Sequence, residues 1–185
     1  FDLYVFTEGF AMPMKTKTKV IKIPLTNVAL AAAVASVATY LGLLGAGLSG
    51  DALAQALGPA IAMNFFLAYV ISFFVGFFVP CEQWGFAFAQ SRGLKPSDGI
   101  KFGIAINLVV NTVYTLVNSL ILTYINAIIM QHAPLAAYIP ALLGSFVPCW
   151  VAGFIVSLPL APLMEKLART ITKDFPAQSE PTTAQ

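Results

Sequence analysis

The chain has 185 residues, of which 58% are hydrophobic and 10% are charged, and its mean hydropathy is positive at +0.82. A soluble domain carries about 25% charged residues, so this composition excludes an ordinary soluble domain and indicates an integral membrane protein. The formal net charge is only +2, which gives no indication of nucleic-acid binding. The length suits one domain of four spans of about 20 residues each.

The positive charges follow a simple pattern along the chain. Every Lys and Arg lies in one of three clusters, at residues 15–22, 92–101 and 166–173. Each apolar stretch between two clusters is long enough to cross a bilayer twice, and basic residues are retained on the cytoplasmic side of a membrane. We therefore predict an all-α bundle of four transmembrane helices with both termini in the cytoplasm.

The first predicted span covers residues 24–47 and follows an N-terminal extension, residues 1–13. Its apolar core is longer than the roughly 7–15 residues of a signal-peptide core, so we interpret it as a membrane span. The span is rich in Ala and Gly, and small residues at four-residue spacing let helix backbones approach closely. We expect Ala32, Ser36 and Thr39 to lie at a helix–helix interface.

The second predicted span covers residues 57–80 and continues as an amphipathic segment through Trp84 and Phe88. An Arg-Gly pair after this segment is a typical helix C-terminal stop. The first transmembrane hairpin is therefore predicted to comprise residues 14–92, and residues 93–99 form a cytoplasmic loop.

The second predicted hairpin comprises residues 100–174, with one span at residues 100–130 and the other at residues 138–164. Prolines inside the last span remove backbone hydrogen bonds, so we expect that helix to be bent. The polar residues 175–185 are predicted to form a disordered tail.

The two hairpins share a short sequence. Residues 76–81 read GFFVPC and residues 144–149 read GSFVPC. A second alignment instead matches Pro80 with Pro159, and the two registers are incompatible. Helix order and topology favour the second register, because it aligns the cytoplasmic halves of the second and fourth spans. Either register predicts a tandem pair of two-helix hairpins with one orientation in the membrane.

The second half of the chain carries a family resemblance. A polar-flecked helix at residues 110–118 is followed by a short turn, by Trp150, by AGF at residues 152–154 and by LPLAPL at residues 158–163. This pattern resembles a bacterial inner-membrane family of two-transmembrane-helix repeats that is catalogued only as a domain of unknown function. The similarity covers residues 104–171 and is weaker in the first half. It implies a fold and a location in the bacterial inner membrane, and it implies no activity.

The third span carries a polar stripe along one helical face. An amide in hydrocarbon is costly without a partner, so this face must meet other helices, water or a ligand. One interpretation is a polar cavity or a path for a small neutral solute. The other is hydrogen bonding between helices, at ~0.6 kcal/mol per contact, with Ser36, Thr39, Tyr40, Asn64 or Ser72 as partners. The stripe consists of Asn107, Asn111, Tyr114, Thr115 and Asn118, and Asn126 continues it.

The chain offers few residues for chemistry. Asp51 and Glu82 flank the second span without entering it, so we expect no charged group within the membrane, which argues against a proton relay. The single histidine, His132, and the two cysteines, Cys81 and Cys149, form no metal-binding or redox motif. We expect no metal, no cofactor, no disulfide and no catalysis.

Two functional hypotheses follow from these patterns. In the favoured one, the chain is a non-catalytic membrane protein that associates with itself or serves as an accessory subunit. Its partners would be the lipid bilayer and either a second copy or another membrane protein, with no nucleic acid. In the alternative, the chain is a transporter or channel for a small neutral solute, which the asparagine face of the third span conducts.

Overall fold

The computed structural model describes residues 16–174; the predicted N-terminal extension and C-terminal tail lie outside that range. Within the described range the chain forms α-helices, short 3₁₀ turns and a π-helical turn, without a strand. Four helical segments are long and apolar enough to cross a membrane, which confirms the prediction of an all-α, four-helix membrane protein. The α-helices are α1 (Thr16–Gly45), α2 (Gly50–Phe78), α3 (Cys81–Ser91), α4 (Ile100–Thr123) and α5 (Tyr138–Thr172).

The helices extend beyond the predicted spans. We predicted that the first span begins at residue 24 and that the last ends at residue 164, whereas α1 begins at Thr16 and α5 ends at Thr172. Hydropathy marks only the apolar part of a helix, while Lys, Arg, Glu, Leu and Ala continue a helix readily on either side. The seven residues Tyr124–Met130 prolong α4 as a π-helical turn.

A break separates α2 from the amphipathic α3. Pro80 has no amide hydrogen, and the residue before a proline is disfavoured in the helical region; Val79 accordingly has φ −101° and ψ 122°. The predicted amphipathic continuation is therefore a separate helix. It packs along the first turns of α4, where the ring centroids of Phe86 and Phe102 lie 5.5 Å apart.

The four spans form a ring in which α1 contacts α2 and α5, and α4 contacts α5 and, over a shorter stretch, α2. On α1, Ala31 and Ala35 are fully buried and pack with Ala68 of α2 and Leu122 of α4. Small side chains allow this close approach. A second cluster of buried residues comprises Leu30, Val34, Val75, Cys81, Tyr114 and Cys149.

Burial is uneven along the bundle. The described residues of the three basic clusters lie at one end, which we call the basic end. The other end, which we call the opposite end, contains residues 40–63 and residues 128–148, and none of these residues is buried. The helices therefore pack tightly from the centre of the bundle to the basic end, and their opposite ends remain exposed to the surroundings.

Candidate functional site

The polar stripe of α4 points into the bundle. Each of its five predicted side chains is at least nine-tenths buried, so the face meets other helices as expected. Their exposed fractions are 5% for Asn107, 1% for Asn111, 9% for Tyr114, 1% for Thr115 and 3% for Asn118.

Towards the basic end, the stripe binds α5. Ser157 Oγ donates to Asn107 Oδ1 at 3.0 Å, and Asn111 Nδ2 donates to the carbonyl of Trp150 at 2.9 Å. Trp150 Nε1 in turn donates to Thr112 Oγ1 at 2.9 Å. These bonds hold α4 and α5 together at fixed register.

Towards the opposite end, the stripe binds α2 and, through it, α1. Asn118 Nδ2 donates to Ser72 Oγ at 2.9 Å, and Asn126 Nδ2 donates to Asn64 Oδ1 at 2.9 Å. Asn64 Nδ2 donates further to Thr39 Oγ1 at 2.8 Å. Ser72, Asn64 and Thr39 were among the expected partners; Ser72 pairs with Asn118, and a separate chain of hydrogen bonds joins Asn126, Asn64 and Thr39.

The predicted interface residues of α1 divide between two helical rows. Thr39 is buried at 4% exposure in the row that faces the bundle. Ala32 is exposed and Ser36 is half-buried, and the Ser36 hydroxyl donates to the Ala32 carbonyl of its own helix at 2.7 Å. Tyr40, another expected partner of the stripe, is 46% exposed in the outward row. Ala32 and Ser36 thus remain at the surface of the bundle.

The space beside the stripe is narrow. A recess lined by Leu30, Val34, Ser72, Tyr114 and Asn118, among others, has no room for a water molecule. In this structure the stripe is a packing surface between helices.

Hydrogen bonding of the buried polar groups is nevertheless incomplete. Within residues 16–174, buried side-chain atoms without a hydrogen-bond partner include Thr26 Oγ1, Asn27 Nδ2, Asn107 Nδ2 and Asn118 Oδ1. Asn27 is only 1% exposed and was not among the predicted site residues. It is the sole asparagine of the first predicted span, residues 24–47, and this was the available signal.

A second cluster of polar groups lies at the basic end. Lys22 Nζ lies 3.0 Å from Glu82 Oε1 and 3.1 Å from Glu165 Oε2. Arg169 donates to Glu165 Oε1 from Nε at 3.0 Å and from Nη2 at 2.9 Å. These four residues, which we call the charge clamp, join α1, α3 and α5.

The charge clamp lies at the basic end of helices that are long and apolar enough to span a membrane. Lys22 lies within the first spanning helix, and Glu165 and Arg169 lie within the last, with exposed fractions of 4% and 8% for the latter two. Lys22 precedes the first predicted span, and Glu165 and Arg169 follow the predicted end of the last span at residue 164, so none of the three was among the predicted site residues. The four-residue spacing of Glu165 and Arg169 was the available signal, since such pairs face each other on a helix.

Two groups just outside the spans have shifted pKa values. The Lys22 ammonium lowers the pKa of the Glu82 carboxyl, against the opposing effect of desolvation, and Lys19 lowers it further. Glu82 is therefore ionised at neutral pH. Burial raises the pKa of the Cys81 thiol to about 11, so this thiol is protonated and a poor nucleophile.

Beside the charge clamp, the end of α5 folds against α1. Thr18 Oγ1 donates to Asp174 Oδ2 at 2.7 Å, and the hydroxyls of Thr18 and Thr172 lie 2.9 Å apart. Lys173 adopts the left-handed conformation, with φ 54° and ψ 34°, which ends the helix and turns the chain back towards α1. The described ends of the first and last spans are thereby joined.

Among residues 16–174 there is no group of three His, Cys, Asp or Glu side chains that could hold a metal ion. Both cysteines are free and buried. Comparison of the chain with protein-family models, curated proteins and solved structures finds no match in any of the three. Function is therefore inferred from the contacts of its own residues.

Proposed function

We propose that the chain is a non-catalytic protein of the bacterial inner membrane that associates with itself or serves as an accessory subunit. The observation that supports this best is that the polar stripe is occupied by hydrogen bonds between helices. Asn107, Asn111 and Asn118 each contact another helix, and the recess beside Asn118 has no room for water. The polar groups of the interior join the helices, so we place the proposed association with a partner on the outer surfaces of the bundle.

The surface proposed for self-association is the outward row of α1. It consists of Val28, Ala32, Ser36 and Tyr40, which follow one another at four-residue spacing. Val28 is 47% exposed, and the two central side chains are small. Small residues on a membrane helix let a second backbone approach closely, which favours van der Waals packing between helices.

Oligomeric state tests this surface. The double variant Ala32→Leu, Ser36→Leu places bulk at the centre of the row, and we expect the parent oligomer to dissociate. Native mass spectrometry and analytical ultracentrifugation in detergent measure the mass. The matched control is Ala54→Leu, Ala62→Leu, on exposed positions of α2, and it should keep the parent mass. A monomeric parent, or an unchanged mass in the α1 variant, contradicts self-association.

We propose further that the basic end faces the cytoplasm, because exposed basic residues are retained there. The location in the inner membrane depends on the family resemblance of residues 104–171. A fluorescent protein that matures only in the cytoplasm, fused after Gln185, should fluoresce. The same protein inserted between Gln131 and Pro134, at the opposite end, should stay dark. The reverse result contradicts this orientation.

A second candidate function is conduction of a small neutral solute. It is favoured by the buried, unpartnered atoms Asn27 Nδ2, Asn107 Nδ2 and Asn118 Oδ1. Leaving such a group unsatisfied costs about 1–3 kcal/mol, and a polar solute would supply partners. In proteoliposomes, glycerol flux through the parent should disappear in Asn111→Leu and Asn118→Leu while the helices remain folded. Absence of flux in the parent contradicts this candidate.

A further inference from the structure

The acidic side chains near the junction of α1 and α5 form ion pairs or hydrogen bonds with other side chains of the protein. On α1, α3, α5 and the two residues after α5, the acids are Glu82, Glu165 and Asp174. The charge clamp binds the two glutamates, and Thr18 donates to Asp174. The last two acids are buried, at 4% and 7% exposure. Their negative charge is therefore directed into the bundle.

The remaining cations at this junction are directed outwards. Lys17 and Lys19 of α1 and Lys166 and Lys173 at the end of α5 are all exposed. The contact between the hydroxyls of Thr18 and Thr172 brings the two helix ends together, so the four exposed lysines flank one junction. We call the exposed side of this junction the α1/α5 basic surface.

Apolar side chains lie between these lysines. On the same helix ends, Val20 is 45% exposed, Leu163 42%, Leu167 43% and Ile171 56%. The surface begins where the apolar stretches of the spans end, the depth at which hydrocarbon meets lipid head groups. Lysine stems can cover apolar surface while their ammonium groups reach the head-group layer.

We propose that the α1/α5 basic surface binds an anionic phospholipid. The lysines would contact the head-group phosphate, and the acyl chains would lie along Leu163 and Leu167. Charge complementarity favours a head group with net negative charge over a zwitterionic one, because Glu165 and Asp174 are buried with partners of their own while the four lysines are exposed. The exposed apolar side chains favour a lipid over a soluble phosphate compound. The α1 residues of this site, Lys17, Lys19 and Val20, differ from those of the self-association surface, which begins at Val28.

Lipid binding to the delipidated full-length protein tests this proposal. Native mass spectrometry would titrate the protein with phosphatidylglycerol and with phosphatidylcholine of identical acyl chains. We expect tighter binding of phosphatidylglycerol. In Lys17→Gln, Lys166→Gln, Lys173→Gln this preference should fall on the order of a hundredfold, since each cation near an anionic lipid surface contributes about fivefold. In the single variant Lys166→Gln the preference for phosphatidylglycerol should fall about fivefold, and this variant replaces the triple variant in the test if the triple variant does not fold.

The matched control removes three positive charges from the second basic cluster, residues 92–101. Arg92→Gln, Lys95→Gln, Lys101→Gln should bind phosphatidylglycerol within about twofold of the parent, and circular dichroism checks that each variant is folded. Equal affinity of the parent for the two lipids would overturn the proposal. Equal losses in the two triple variants would assign the effect to general surface charge. Binding of soluble glycerol phosphate as tight as that of the lipid would exclude a lipid site.

Discussion

At the basic end, Lys22, Glu82 and Glu165 join three helices through ion pairs of 3.0 and 3.1 Å, whereas at the opposite end no residue of 40–63 or 128–148 is buried. At the opposite end, Tyr138 donates to the Leu120 carbonyl at 2.9 Å and the ring centroids of Tyr124 and Tyr138 lie 6.0 Å apart. The ion pairs lie at the basic end.

This difference shows where the bundle derives its stability. A buried ion pair is stabilising only when its geometry is complete, and in the charge clamp Glu165 has a cation on each carboxylate oxygen. Removing one member leaves an unpaired charge in a buried place. At the opposite end the exposed side chains are largely apolar, so lipid or a partner protein can cover them without an ionic contact.

The largest expected effect is at Glu165. Replacement by Ala leaves Lys22 and Arg169 without their shared partner, and removal of one member of a buried pair costs about 3–5 kcal/mol. The free energy of unfolding in mixed micelles, measured by titration with dodecyl sulfate, should fall by this amount. Asp51→Ala, an exposed acid at the opposite end, should change it by less than about 0.5 kcal/mol. Equal effects of the two variants would show that the charge clamp contributes nothing.

A pair of glycines on α5 gives the second comparison. A Cβ on Gly153 would lie 2.6 Å from Asn111 Oδ1, whereas a Cβ on Gly144 meets nothing within 4 Å. We expect Gly153→Ala to lower the free energy of unfolding by about 1–3 kcal/mol through overpacking. Gly144→Ala should raise it by roughly 0.5–1 kcal/mol through helix propensity. If both variants change the free energy of unfolding in the same direction, the packing around Gly153 is not tighter than the packing around Gly144.

A smaller effect is expected in the polar stripe. Asn118 and Ser72 share a hydrogen bond of 2.9 Å between α4 and α2. A double-mutant cycle of Asn118→Ala and Ser72→Ala should give a coupling free energy of about 0.6 kcal/mol, typical of such bonds in membrane proteins. Coupling indistinguishable from zero would mean that the stripe does not join these helices.

The smallest effect is a pH dependence at Glu82. Its pKa is lower in the folded protein than the ordinary value of 4.5, chiefly because of Lys22. The corresponding stabilisation is fully present above the ordinary pKa and is lost as the pH falls through the folded pKa. Because the side chain is 50% exposed, we expect a modest contribution. The stability difference between the parent and Glu82→Gln should shrink as the pH is lowered from about 7 to about 3, and a constant difference would contradict this assignment.

The sequence predicts the helices and the orientation of the stripe because both depend on local patterns. Apolar length identifies a span, and a period of 3.6 residues places Asn107, Asn111 and Asn118 on one face. The buried positions of these three residues follow from the cost of an exposed amide in hydrocarbon. The break before α3 departs from the predicted continuation of the second span, and the conformational limits of Pro80 and of the residue preceding it account for it.

The charge clamp could not be predicted from any single segment. It requires Lys22, Glu82 and Glu165, which are distant in sequence, to meet at one end of three helices. Thr39 was likewise grouped with Ala32 and Ser36, although the packing of α1 turns Thr39 inwards towards Asn64. Tertiary packing decides which face of a helix contacts its neighbours. In a membrane helix the lipid-facing and the protein-facing residues are similarly apolar, so the sequence does not distinguish the two faces.

Native mass spectrometry of the protein released with its surrounding lipid tests both proposed surfaces and the polar stripe at once. We expect a homo-oligomer that retains anionic phospholipid and carries no stoichiometric small molecule in its interior. A small neutral molecule that is bound by the parent and lost in Asn111→Leu would contradict this expectation. The polar stripe would then be a binding site for a solute, in addition to joining the helices.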